Sequence, residues 1–122
     1  MSKKILIVDD SPVARQLHAF IVKSAGFDIV ESENGSDAYE KILSDSFDMI
    51  ITDINMPKMD GFALCEQIRK NEQYQNTPII IVSTESESSD KMKGLQAGAN
   101  LYIVKPVKAE ELVENIKMLL HD

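Results

Sequence analysis

Three polar outposts, each at the end of an apolar run, carry the chemistry this chain can do. Ile5-Leu6-Ile7-Val8 leads into Asp9-Asp10, Met49-Ile50-Ile51-Thr52 into Asp53, and Leu101-Tyr102-Ile103-Val104 into Lys105-Pro106. The runs have the length and β-branched content of buried parallel strands. Ligands of open α/β sheets bind at the carboxyl ends of the strands. Three carboxylates and one ammonium are therefore expected to converge at one sheet edge. Crowded carboxylates repel one another, and a hard divalent cation with oxygen ligands, Mg²⁺ above all, relieves that repulsion. A carboxylate, a Mg²⁺ and a lysine in one shallow site point to phosphoryl transfer onto an aspartate.

Each residue has a task in that reading. Asp53 is the expected nucleophile. Asp10 and Asp53 are expected to bind Mg²⁺ directly, with Asp9 acting through water. A backbone carbonyl just after Asp53, with Asn55 the candidate, completes the protein ligands. Lys105 neutralises one phosphoryl oxygen, and the Ser83 hydroxyl at the end of a fourth run donates to another. Taken singly, each has an ordinary reading: Asp9-Asp10 as a helix-capping turn, Asp53 as a loop aspartate, Lys105 as a solvated side chain. Their joint placement at strand ends favours the functional one. Whether the Lys105-Pro106 peptide is cis is open at this level. His18 and His121 are expected at the surface, and Cys65 in the core or half-buried on a helix.

The elements that must position these groups alternate along the chain. Strands are predicted near 4–8, 28–31, 49–52, 79–82 and 101–104, and helices near 12–25, 36–43, 61–70, 88–97 and 109–121. Five β/α repeats make an α/β domain, a doubly wound five-stranded parallel sheet with five helices. Ser11-Pro12 suits an N-cap followed by a first-turn proline, and Gly26 and Gly98 suit helix ends. The last helix carries Leu112, Val113, Ile116, Leu119 and Leu120 on one stripe. The fourth helix is the weakest: it follows a polar stretch, Gly94 interrupts it, and its apolar stripe is little more than Met92 and Leu95.

Composition limits the setting. The 122 residues are enough for one domain with one core, read as a single unit over 1–122 without an output domain. Thirteen basic against twenty acidic residues give a net charge of -7, which argues against a nucleic-acid surface. No apolar stretch suggests membrane insertion, and a single cysteine excludes an internal disulfide. A cytoplasmic monomer is expected.

The chain resembles the receiver domain of two-component response regulators, most closely the stand-alone chemotaxis regulators. The resemblance rests on Asp9-Asp10, Asp53, Ser83, Lys105-Pro106, and the segments Asp53-Ile54-Asn55-Met56-Pro57, Met59-Asp60-Gly61 and Gln96-Ala97-Gly98-Ala99. It implies a flavodoxin-like sheet of strand order 2-1-3-4-5, and Tyr102 as a switch aromatic paired with Ser83. A sensor histidine kinase would donate phosphate to Asp53, and the domain would hydrolyse its own acyl phosphate. The output would be a surface of the fourth helix, fifth strand and fifth helix, bound by a downstream target or phosphatase. Val107 stands where many members carry phenylalanine, so the partner's identity does not carry over. The alternatives are a phosphorelay intermediate that passes phosphate to a histidine phosphotransfer protein, and a haloacid dehalogenase-type phosphatase. The latter is disfavoured because those enzymes carry the nucleophile after the first strand.

Overall fold

A computed structural model describes residues 2–122. Five strands, β1 Lys4–Val8, β2 Asp28–Ser32, β3 Met49–Thr52, β4 Ile79–Ser83 and β5 Leu101–Val104, alternate with five helices. These are α1 Pro12–Ser24, α2 Gly35–Ser44, α3 Gly61–Lys70, α4 Ser88–Ala97 and α5 Ala109–Leu120. The sheet runs β2-β1-β3-β4-β5 with every pairing parallel. The doubly wound reading and its strand order therefore hold.

Strand alternation divides the core into two layers, because successive side chains point to opposite faces. Leu6, Val8, Ile50, Ile79 and Ile81 meet Ala38 and Ile42 of α2 and Leu64, Cys65 and Ile68 of α3. Ile5, Ile7, Met49, Ile51, Ile80, Val82 and Ile103 meet Ala19 and Val22 of α1 and Leu112, Ile116 and Leu120 of α5. Cys65 is fully buried, as the core reading expected, and burial pushes its thiol up to about 12.

The predicted caps are present. The Ala14 amide donates to Ser11 Oγ at 3.3 Å, and Gly26 and Gly98 take positive φ just past α1 and α4. Three features differ from the sequence reading. A short 3₁₀ turn, Glu72–Tyr74, precedes β4, and the Tyr74 hydroxyl donates to the carbonyls of Ile42 and Asp45 at 3.2 and 2.9 Å. Next, α4 is uninterrupted, and its buried residue is Gly94, whereas Met92 and Leu95 are 56% and 47% exposed. Glycine there admits close contact: a Cβ would stand 3.0 Å from both Ile81 Cδ1 and Tyr102 Cδ2. So α4 approaches the sheet through a gap in its side chains and buries little apolar area. Last, His18 is 5% exposed rather than on the surface. It lies one helical turn before Val22, on the face of α1 that packs against the sheet, while Val13, Leu17 and Phe20 point outward.

Candidate functional site

Register brings the polar residues together. Val8 pairs with Thr52 and with Ser32, so the chain leaves β1 and β3 side by side. The Asp53 amide donates to the Val8 carbonyl at 3.0 Å, and the Asp9 amide to the Ser32 carbonyl at 3.1 Å. On the other side Ser83 pairs with Val104, and the Lys105 amide donates to the Ser83 carbonyl at 2.8 Å. The Lys105-Pro106 peptide is cis.

One carboxylate oxygen from each of Asp9, Asp10 and Asp53 lies within 4.8 Å of the other two. Lys105 Nζ donates to Asp9 Oδ2 at 2.9 Å and to Asp53 Oδ2 at 3.2 Å. Three carboxylates against one ammonium leave negative charge uncompensated in a partly desolvated place. The donor set is all hard oxygen, as a divalent cation of the magnesium or calcium kind requires. Asp9 is held at every polar atom: besides its amide and Oδ2, its Oδ1 accepts from the Ser11 amide at 2.9 Å and its carbonyl from Arg15 Nη1 at 2.8 Å. Asp10, by contrast, is exposed and faces solvent.

The electrostatics follow from burial and pairing. Burial raises the Asp53 carboxyl above its ordinary value, with the Asp9 charge adding to it, against the Ile54 amide and Lys105. Burial would lower the Lys105 ammonium, but its hydrogen bond to Asp9 and the charges of Asp53 and Asp9 outweigh that and leave it raised. The lysine is thus firmly cationic between the two carboxylates.

Ser83 is fully buried, and its Oγ accepts from the Glu85 amide at 3.1 Å, while the neighbouring Thr84 is exposed. The Tyr102 hydroxyl donates to the Glu85 carbonyl at 2.7 Å. Serine and tyrosine therefore hold opposite sides of one residue. Across the mouth of the site, Asn55 Nδ2 donates to Glu85 Oε1 at 3.0 Å.

Three participants have no role in the sequence reading, although Gly61 lies in the segment Met59-Asp60-Gly61. Arg15 grips the Asp9 carbonyl from α1. Gly61 opens α3 against the Asp53 carbonyl, where a Cβ would stand 2.1 Å away. His18 lies under the acidic loops: burial lowers its pKa, Lys105 lowers it further, and Asp9 and Asp53 oppose. A histidine depressed in the folded state binds its proton better unfolded. Its contribution is intact above the unfolded value of 6.5 and is lost as pH falls below that value and through the folded one. In metal-free buffer, His18→Gln is expected to flatten the decline of the urea midpoint between about pH 7 and about pH 5. An unchanged slope would exclude His18 as its source.

Among the described residues, no helix is long and apolar enough to cross a membrane. Comparison with known proteins agrees with the geometry. Residues 5–117 match the response regulator receiver domain. The gliding motility regulatory protein of Myxococcus xanthus is 40% identical over 102 residues, which cover 84% of this chain and 13% of that protein. The transcriptional regulatory protein SrrA of Staphylococcus aureus is 37% identical over 120 residues, 98% of this chain and 48% of that protein. The chain thus spans half or less of these relatives. The chemotaxis response regulator CheY4 of Vibrio cholerae superposes with a TM-score of 0.92 at 34% identity, covering 98% of this chain and 99% of that one. With the family match spanning both acidic loops, Ser83 and Lys105 on one five-stranded sheet, this chain belongs to the response regulator receiver domains of two-component systems.

Proposed function

We propose that Asp53 accepts a phosphoryl group from a sensor histidine kinase, with Mg²⁺, and that phosphorylation reshapes a protein-binding surface of α4, β5 and α5. The observation that carries this reading is the Lys105 ammonium bridging Asp9 and Asp53 beside the free carboxylate of Asp10. An Asp53 carboxylate oxygen attacks phosphorus, the phosphorus–nitrogen bond of the donor phosphohistidine breaks, and its electron pair returns to the imidazole. Lys105 and the Ser83 hydroxyl each hold a phosphoryl oxygen. Asp10 and Asp53, with a carbonyl near Asn55, would hold Mg²⁺. Asp9, whose oxygens already accept from Ser11 and Lys105, acts through water. Bound there, the cation neutralises the carboxylates and polarises a phosphoryl oxygen.

The outlet runs through Glu85. Moving the Ser83 hydroxyl toward a phosphoryl oxygen releases the Glu85 amide, and the Glu85 carbonyl is the Tyr102 hydroxyl's partner. The ring of Tyr102 lies against Gly94 of α4, the helix with the least buried apolar surface. A weakly anchored element is the one that a modest binding energy can shift.

We place the domain in the cytoplasm and favour chemotaxis signalling, on the likeness to the Vibrio regulator. The relatives named for gliding motility and transcription show that receiver domains like this one serve outputs other than chemotaxis, and a phosphorelay role is the second reading. Acetyl phosphate with Mg²⁺ is expected to add one phosphate to the intact mass, and chelation to prevent it. No adduct under any Mg²⁺ concentration would sink the phosphoacceptor assignment. Rapid transfer from the phosphorylated domain to a histidine phosphotransfer protein would replace chemotaxis with the relay.

A further inference from the structure

Arg15 has no part in the chemistry above, yet it is the side chain that fixes the acidic loop from below. Its Nη1 donates to the Asp9 carbonyl at 2.8 Å and its Nε to Glu31 Oε1 at 3.1 Å. The side chain is only 17% exposed. Glu31 sits on β2, beside β1 in the sheet, and its carbonyl accepts from Lys41 Nζ at 2.6 Å. Lys41 in turn pairs with Asp37 at 2.9 Å. The guanidinium therefore links the first turn of α1, the loop after β1 and a braced point on β2.

The carbonyl it grips belongs to the peptide joining Asp9 to Asp10. Rotation of that peptide would swing the Asp10 carboxylate relative to Asp53. Asp9 cannot resist that rotation through its side chain alone, because the peptide turns about its own axis. A planar fork that engages the carbonyl with one nitrogen and the carboxylate of Glu31 on β2 with another can resist it.

We propose that Arg15, braced by Glu31, is a positioning residue that holds the Asp9–Asp10 peptide in the orientation needed to bind a divalent cation. This rests on the metal reading of the acidic cluster given above. Arg15 itself touches neither the cation nor the phosphoryl group. Outer partners of this sort set metal affinity by orienting the ligands, and losing one weakens binding by about ten- to a hundredfold.

The sign of the effect separates this role from simple electrostatics. A cation near the cluster repels Mg²⁺, so deleting its charge should tighten binding if charge were its only influence. Positioning predicts the opposite. The experiment is an Mg²⁺ titration of the intact domain by backbone amide shifts, on wild type, Arg15→Met, Arg15→Lys and Asp10→Asn, each with its thermal midpoint recorded. Arg15→Met is expected to raise the Kd about tenfold at a temperature where the variant is fully folded. Arg15→Lys, which keeps the charge and the fold but loses the fork, is expected to weaken binding as well. Binding equal to or tighter than wild type in either variant would overturn the proposal. The Asp10→Asn arm reports on the underlying reading: if it binds as wild type does, or if wild type shows no saturable binding, the metal site is elsewhere and the positioning role falls with it.

Discussion

Asp53→Asn is expected to abolish phosphate acceptance and, at the same time, to stabilise the metal-free domain. The amide matches the carboxylate in shape, and its single oxygen can still accept from the Ile54 amide, which lies 2.7 Å from Oδ1, while its NH2 takes the place of Oδ2 and gives up the 3.2 Å bond from Lys105, which keeps Asp9. It is a poor nucleophile, so the intact mass should show no phosphate after acetyl phosphate and Mg²⁺. The stability gain follows from the Asp53 carboxyl lying above its ordinary value, chiefly through burial. A group gripped more tightly by its proton in the folded state stabilises at low pH, and that contribution is lost as pH rises through the folded value. At neutral pH the ionised carboxylate therefore costs stability. Relief of such a site is worth about 1 kcal/mol. The urea midpoint at neutral pH should rise in Asp53→Asn, and the gain should shrink in acid, where the wild-type carboxyl is already neutral. A full one-phosphate adduct on the variant would remove Asp53 as acceptor. A lower midpoint at neutral pH would show that Lys105 more than offsets the burial of the charge.

The strands were legible in the sequence for a physical reason. A parallel strand covered on both faces needs an unbroken β-branched run, and Ile5–Val8, Met49–Thr52 and Ile79–Val82 are such runs. The site was legible for the complementary reason: an aspartate or lysine at the end of such a run has only the sheet edge to occupy. What stayed hidden depended on contacts between distant segments. His18 lies among apolar residues on α1, with Leu17 and Phe20 exposed and Ala19 and Val22 buried, and only docking against the sheet decides which side is inside. The supposed apolar stripe of α4 failed likewise, because Gly94, not Met92 or Leu95, makes the approach to β4 and β5. Arg15 on a helix reads as a solvated charge until the Asp9 carbonyl is seen 2.8 Å away. The turn at Glu72–Tyr74 depends on carbonyls at Ile42 and Asp45 that no local pattern announces.

Gly61 is the other residue whose replacement should cost most, and it shows how space rather than backbone freedom can require glycine. It opens α3, its φ is not positive, and alanine in an ordinary helix is favoured over glycine by about 1 kcal/mol. Here a Cβ would stand 2.1 Å from the Asp53 carbonyl oxygen and 2.9 Å from the Ile54 Cα. Both are backbone atoms, and the Gly61 amide also donates to the Ile54 carbonyl at 2.8 Å, so α3 cannot back away without giving up that bond. The clash therefore reverses the propensity gain, and Gly61→Ala is expected to destabilise by about 2 kcal/mol. The residue displaced is the proposed nucleophile, and a misplacement of about 1 Å is worth about a hundredfold in rate. Phosphorylation by acetyl phosphate should slow on that scale in molecules that remain folded. Gly94→Ala supplies the contrast. Its Cβ would meet side-chain carbons of Ile81 and Tyr102 at 3.0 Å, and these can turn aside where a backbone carbonyl cannot. That variant should keep its urea midpoint within about 1 kcal/mol of wild type, since helix propensity offsets the crowding. It should also phosphorylate at the wild-type rate. If Gly61→Ala matches wild type in both midpoint and rate, α3 is free to move away from Asp53, and the close approach of that helix has no part in holding the phosphoacceptor.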